Sequence, residues 1–100
     1  VNGTPACLHE GLLSGVLRGG WGFDGLVVSD EDAVRSAFAD HHYTQTQANA
    51  SALALSAGCD LNDGATYAGS LADAVEAGLA TEAQVDRALS RVLAQRFRVG

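Results

Sequence analysis

The sequence predicts an α/β fold built on parallel strand pairing, and three observations carry that prediction. Residues 26–30 form a short, nearly continuous apolar run, Leu26-Val27-Val28, that ends in Ser29-Asp30. Such β-branched runs suit strands buried on both faces, as in parallel sheets. Residues 59–61, bounded by Gly58 and by Asn62-Asp63-Gly64, have the form of a second, briefer strand. Helical periodicities stand before, between and after these two runs, an alternation typical of βαβ units. Two parallel strands do not make a stable sheet alone. The chain begins at Val1 and ends on Gly100 directly after a helical pattern. It is therefore expected to be a helix-rich slice of a larger α/β domain.

Each element has its own justification. Leu8, Leu12, Leu13, Val16 and Leu17 recur at helical spacing, so a helix is expected over residues 8–18. Gly19-Gly20 is expected to stop it. A Gly-rich link, Trp21-Gly22-Phe23-Asp24-Gly25, leads into the first strand. Trp21 and Phe23 precede that strand and are expected to plug the core at the end far from Asp30. A short helix follows over residues 32–38, then a loop over residues 40–43. The next helix runs from about residue 45 to residue 57, with Thr44 or Thr46 as N-cap and Gly58 as its stop. A further helix is expected over residues 67–77, ended by Gly78. Thr81 with Gln84 three residues on has the form of a capping box. It opens a last helix whose apolar stripe, Val85, Ala88, Leu89, Val92 and Leu93, continues to Phe97.

Composition excludes several functions. The 100 residues hold six basic and twelve acidic side chains, a net charge of −6. Nucleic acid and anionic membranes want clustered Lys and Arg, so neither is an expected partner. No apolar run approaches the roughly 20 residues that span a bilayer. The Gly-rich link precedes a strand, whereas phosphate loops follow one. There is no Gly-x-Ser-x-Gly nucleophile elbow. Two cysteines are too few for a four-ligand zinc site. Cys7 and Cys59 are open to two readings, a pair or small buried apolar groups.

Asp30 is the first candidate for chemistry. It stands where a buried strand gives way to loop, the place where parallel α/β folds build their sites. It reads either as a catalytic carboxylate or, like Asp32, as a cap for the next helix. Glu31 is a poor working partner for it, because successive side chains on an extended chain point apart. Asp60 and Asp63 read either as further carboxylates of the same pocket or as turn formers. His41 and His42 read as solvated loop residues. A divalent-metal site made of Asp30, Asp60 and His41 is the competing reading, although nothing stands at metal-ligand spacing and no metal or other cofactor is expected.

Several blocks together resemble glycoside hydrolase family 3. They are Val1-Asn2-Gly3-Thr4-Pro5-Ala6-Cys7, then Trp21-Gly22-Phe23-Asp24-Gly25-Leu26-Val27-Val28-Ser29-Asp30, then Ala57-Gly58-Cys59-Asp60-Leu61, and the closing Arg91-Val92-Leu93 with Arg96-Phe97-Arg98-Val99-Gly100. The resemblance implies that residues 1–100 are the last part of the family's N-terminal (β/α)8 TIM-type barrel. It implies retaining hydrolysis of β-glucosides or β-xylosides from the non-reducing end, with Asp30 as nucleophile. A β-linked oligosaccharide or glycoside is then the partner, and export or a periplasmic location is implied. The general acid and the earlier sugar-binding residues would lie in the missing remainder of the barrel and in a following domain. The isolated segment is accordingly expected to be inactive. The sequence departs from the family pattern at two places. Glu31 replaces a Trp or other non-acidic residue of many members and would border the bound sugar. Asp63 stands where many relatives carry Cys, which weakens a disulfide inferred at Cys59 from the resemblance. The alternative is a truncated or degenerate, non-catalytic fragment of such an enzyme.

Overall fold

Four α-helices and two tighter or wider N-terminal turns carry the chain, in a computed structural model that describes residues 1–100. A 3-10 turn at Ala6–Leu8 is followed by a π-helix at Gly11–Gly20. The α-helices are α1 Ala33–Ala39, α2 Gln47–Ala57, α3 Thr66–Glu76 and α4 Glu82–Val99.

Helix α2 is the centre of the molecule. Six of its eleven residues are buried: Ala50, Ser51, Ala52, Ala54, Leu55 and Ala57. A helix apolar on all sides belongs inside a core, and α2 packs against α1, α3, α4 and the two N-terminal turns. Its small side chains allow that close approach from every side. Thr46 is the N-cap, its Oγ1 accepting the Asn49 N–H at 3.0 Å. Gly58 ends the helix at φ +118°, where a side chain would be strained and its Cβ would meet Ser14 Oγ at 3.1 Å. One core cluster, including Leu8, Leu13, Val34 and Cys59, lies on one side of α2. A second, with Ala74, Ala80 and Ala88, lies on the other. The Thr81–Gln84 capping box forms in full, with bonds of 3.0 and 3.1 Å.

Several expectations need correction. The two strands do not form. The runs meet at one parallel bridge, Val28 to Leu61, held by Ser29 N–H to Leu61 O at 2.9 Å and by Asp60 and Leu61 N–H to Val27 O. The parallel sense is as expected, but each run has one neighbour only, and an unsupported pair does not propagate. The expected burial on both faces also fails, since Val28 is 48% and Leu61 41% exposed.

The first helix is a π-helix rather than an α-helix, and Gly19-Gly20 lie inside it. Its wider turn closes through Trp21 N–H to Val16 O at 2.9 Å. Trp21 and Phe23 are not core plugs. Trp21 is 76% exposed and Phe23 is exposed as well, because no element of the chain packs over the link they occupy. The apolar stripe of α4 is likewise buried only at Ala88, with Leu89, Leu93 and Phe97 exposed. No helix is long and apolar enough to cross a membrane.

Candidate active site

The bridge positions Asp30. Ser29 is buried, and its Oγ accepts the Asp63 N–H at 3.0 Å while donating to Asp30 O at 3.0 Å. Its own N–H is taken by Leu61 O. The Asp30 backbone is thereby tied to the neighbouring 59–63 segment. Asp32 N–H donates to Asp63 O at 2.8 Å and fixes the turn that follows. Gly64, at φ +130°, leaves room there, since a Cβ would meet Asp32 Oδ1 at 2.5 Å. The Asp30 carboxylate itself is exposed. Its Oδ1 accepts the Glu31 N–H at 2.9 Å, and Oδ2 has no partner within the chain. Neither Asp30 nor Asp32 caps α1 through its side chain, so the capping reading of both is corrected. The Ala33 N–H goes instead to the Asp30 carbonyl at 3.0 Å.

Asp30 and Glu31 line one open cleft of about 640 Å³. Its walls come from the N-terminal segment, including Pro5 and Cys7, and from Ser36, His41 and Tyr43. Glu31 shares the cleft because the chain has already turned at that residue. An extended backbone would have sent its side chain away. His41 contributes a cleft wall from an exposed loop position, and His42 is exposed outside it.

Asp60 and Asp63 stay out of the cleft. Asp63 is exposed in the turn, as a turn former should be. Asp60 is neither a pocket residue nor a turn residue. Its side chain is 1% exposed and carries three donors. Arg18 reaches Oδ2 at 2.6 Å, Val27 N–H reaches the same oxygen at 3.1 Å, and Arg91 reaches Oδ1 at 2.9 Å. Arg18 also bonds Gly25 O and Gly58 O, at 2.8 and 3.0 Å. Asp60 thus ties the π-helix, the bridge and α4 together. The metal trio of Asp30, Asp60 and His41 is not assembled, because Asp60 is committed to two arginines. Sequence reasoning missed this role. The available signal was an aspartate inside the apolar run Ala57-Gly58-Cys59-Asp60-Leu61, which needs a cation to be buried at all.

Cys7 lines the cleft and Cys59 does not. Cys7 and Cys59 are both free thiols, Cys7 half-buried and Cys59 buried. The Cys59 Sγ donates to Leu61 O at 3.6 Å, and the neighbouring Cys59 thiol is the main cause that lowers the Cys7 pKa to about 6. The Asp30 backbone acts in the same direction. The Cys59 thiol is pushed far up, first by the influence of Cys7 and then by burial. Tyr67 donates its hydroxyl to Cys59 O at 2.7 Å, and burial holds this phenol far above the usual range.

The model of the glycosyl hydrolase family 3 N terminal domain matches residues 1–95. Beta-D-xylosidase 3 of Arabidopsis thaliana is 43% identical over the whole chain, which spans 13% of that relative's length. A solved exo-beta-xylosidase in complex with a xylobiose aziridine activity-based probe superimposes with a TM-score of 0.86 at 33% identity. That match covers 92% of the chain and 12% of the enzyme. The beta-glucosidase of Listeria innocua in complex with glucose gives a TM-score of 0.85 at 32% identity, over 93% of the chain and 13% of its own.

Proposed function

The chain belongs to glycosyl hydrolase family 3, and from that premise we propose that it is the nucleophile-bearing segment of a retaining β-glycosidase. In this reading residues 1–100 are the last part of a (β/α)8-type barrel. The single bridge is the local remnant of two neighbouring barrel strands, and the remaining strands complete the sheet. The exposed Trp21, Val28 and Leu61 would then be covered by those strands and their helices.

One observation carries the assignment of Asp30. Its carboxylate lines the cleft with Oδ2 unpartnered, on a backbone tied through Ser29 to Asp63. A nucleophile needs that combination of a fixed backbone and an uncommitted oxygen. The ionised Asp30 Oδ2 attacks the anomeric carbon of the sugar. The glycosidic oxygen leaves with a proton from an acid supplied elsewhere in the protein, and a covalent glycosyl-Asp30 forms. Water, deprotonated by the same group, then attacks the anomeric carbon and releases the sugar with retained configuration. Glu31 borders the sugar site and contributes to selectivity. β-Xylosides are the first substrates to try, because the compared Arabidopsis relative is a beta-D-xylosidase; β-glucosides come second, following the Listeria neighbour.

The test uses the full-length protein and 2-deoxy-2-fluoro xylosyl and glucosyl reagents, which slow breakdown of the intermediate. Peptide mass spectrometry of the tryptic fragment 19–35 is expected to find the label on Asp30. A label on Asp24, Glu31, Asp32 or a carboxylate outside this segment would overturn the assignment.

A further inference from the structure

Glu31 places a second negative charge beside the proposed nucleophile, and no arginine on the cleft wall offsets it. Glu31 follows Asp30 across a trans peptide, so their Cα atoms stand about 3.8 Å apart. Both residues line the same open cleft. Glu31 is exposed and takes part in neither of the chain's ion pairs. All six basic residues of the chain are arginines, and none of them lines the cleft. Two of them, Arg18 and Arg91, are held by Asp60 outside it. Among the cleft residues, His41 alone has a side chain that can become cationic. A neutral sugar ring carries no charge for these acids to sense, so they discriminate through the charge on its leaving group. That group hangs on the atom that Asp30 attacks and therefore passes close to Glu31. A like charge brought there costs binding and an opposite charge gains it, by an amount that salt screens in an open cleft.

We propose that Glu31 makes the cleft selective for β-glycosides with a neutral or cationic leaving group and turns away those that carry a carboxylate, sulfate or phosphate there. This inference rests on the reading of the cleft as a glycoside site and names the substrate class within it. Glu31 acts through its charge alone. It forms no bond to the sugar carbon and moves no proton in the hydrolysis. Discrimination of this kind comes from an unpaired charge set against the wrong ligand as much as from attraction of the right one. It is read in binding, so its test does not need turnover.

The experiment uses the full-length protein and aryl 1-thio-β-xylosides, which resist cleavage, with the matching 1-thio-β-glucosides as a second series. Two isosteric pairs of aryl groups differ in charge: 4-trimethylammoniophenyl against 4-tert-butylphenyl, and 4-carboxylatophenyl against 4-nitrophenyl. Calorimetry gives each Kd at low salt and pH 8, the upper end of the range in which histidine changes charge. The cation is expected to bind about five- to tenfold more tightly than its neutral twin, and the carboxylate more weakly by a similar factor. In 1 M sodium chloride, where the Debye length is about 3 Å, both ratios should shrink towards one. Glu31→Gln should reduce each ratio by about threefold and leave the part that Asp30 contributes. Glu31→Ala should match it, because the charge is the only property at issue, and both variants are expected to fold at this exposed position. Each ratio compares two ligands on one protein, so a general loss of binding cancels. Equal Kd values within each pair, or ratios unmoved by both substitutions, would overturn the proposal. So would a cation preference that persists in 1 M salt, which would belong to the Tyr43 ring that also lines the cleft. Failure of every thioglycoside to bind would strike the glycoside-site reading itself. Charge discrimination in a protein that hydrolyses no glycoside would uphold the inference and strike the hydrolysis alone.

Discussion

Asp30 and Asp60 flank the same bridge, yet their surroundings are opposite. Asp30 lies two residues past Val28, and Asp60 lies one residue before Leu61, the two residues that pair. Side chains alternate along each run. Val28 and Asp30 face out with buried Ser29 between them, while Asp60 and Asn62 face in on either side of exposed Leu61. That parity decides the fate of each carboxylate. Asp60 accepts from Arg18, Arg91 and the Val27 N–H. Asp30 accepts from the Glu31 N–H alone. A carboxylate saturated with donors holds elements together and has no lone pair to spare for chemistry. One with a free oxygen over a cleft contributes little to stability and is available to react.

The sharpest way to break this comparison is to make each residue neutral and ask which property falls. Asp30→Asn in the full-length protein replaces the proposed attacking oxygen but keeps the shape and the Glu31 contact. Turnover of a β-xyloside or β-glucoside is expected to fall about 10⁴-fold, as single deletions in catalytic machinery do, equivalent to ~5.5 kcal/mol of barrier. Stability should move by no more than about 0.5 kcal/mol, as for other exposed sites. Steady-state kinetics and a thermal melt on one preparation check both halves. A variant that melts early, or one that keeps its turnover, would show that Asp30 is the structural member of the two.

Asp60→Asn should do the reverse. It leaves Arg18, with a side chain only 12% exposed, and Arg91 without their shared anion. Removing one partner of a buried ion pair costs about 3–5 kcal/mol, because the remaining charge is left uncompensated. Denaturant unfolding is expected to show that loss. Whatever fraction remains folded should still take the fluorosugar label on Asp30. Loss of labelling in folded protein would mean that Asp60 also shapes the cleft.

The two aspartates also mark what a sequence can and cannot reveal. The place of Asp30, exposed just past the bridge, was legible because its context is local: an apolar run, then an abrupt polar stop. Helix α2 and the Thr81–Gln84 box were legible for the same reason, since a cap and a periodic face are written within a few residues. The role of Asp60 was not. Its partner Arg18 is 42 positions away and Arg91 is 31, and no local pattern pairs them. The parallel sense of residues 26–30 and 59–61 was foreseeable, but not that they would stop at one bridge. Sheet propagation depends on third and fourth strands. Trp21 went wrong for a related reason: a large aromatic is read as core by type, while its burial depends on what else packs there.

The smallest effect comes from Tyr67, which braces the Asp60 side from behind. Its hydroxyl donates to Cys59 O and its N–H to Asn62 Oδ1. Tyr67→Phe keeps the ring and the backbone bond and loses the hydroxyl contact, a cost of about 1 kcal/mol. The pH dependence makes this specific. Burial raises the folded pKa of Tyr67, whereas the unfolded phenol ionises near 10. Its contribution is therefore fully present below about pH 10 and is lost as pH rises above that value. Cys59, also raised, adds a similar loss starting from its unfolded value near 8.5. Cys7 works in the opposite direction: its lowered pKa contributes stability that is lost as pH falls through about 6. Wild type should therefore lose stability above pH 10 by up to about 2.7 kcal/mol per pH unit from the two raised groups together, and Tyr67→Phe by about half of that. Denaturant titrations between pH 9 and 11 measure the difference. Equal slopes would place the Tyr67 hydroxyl in solvent and loosen the case that this side of the bridge is the structural one.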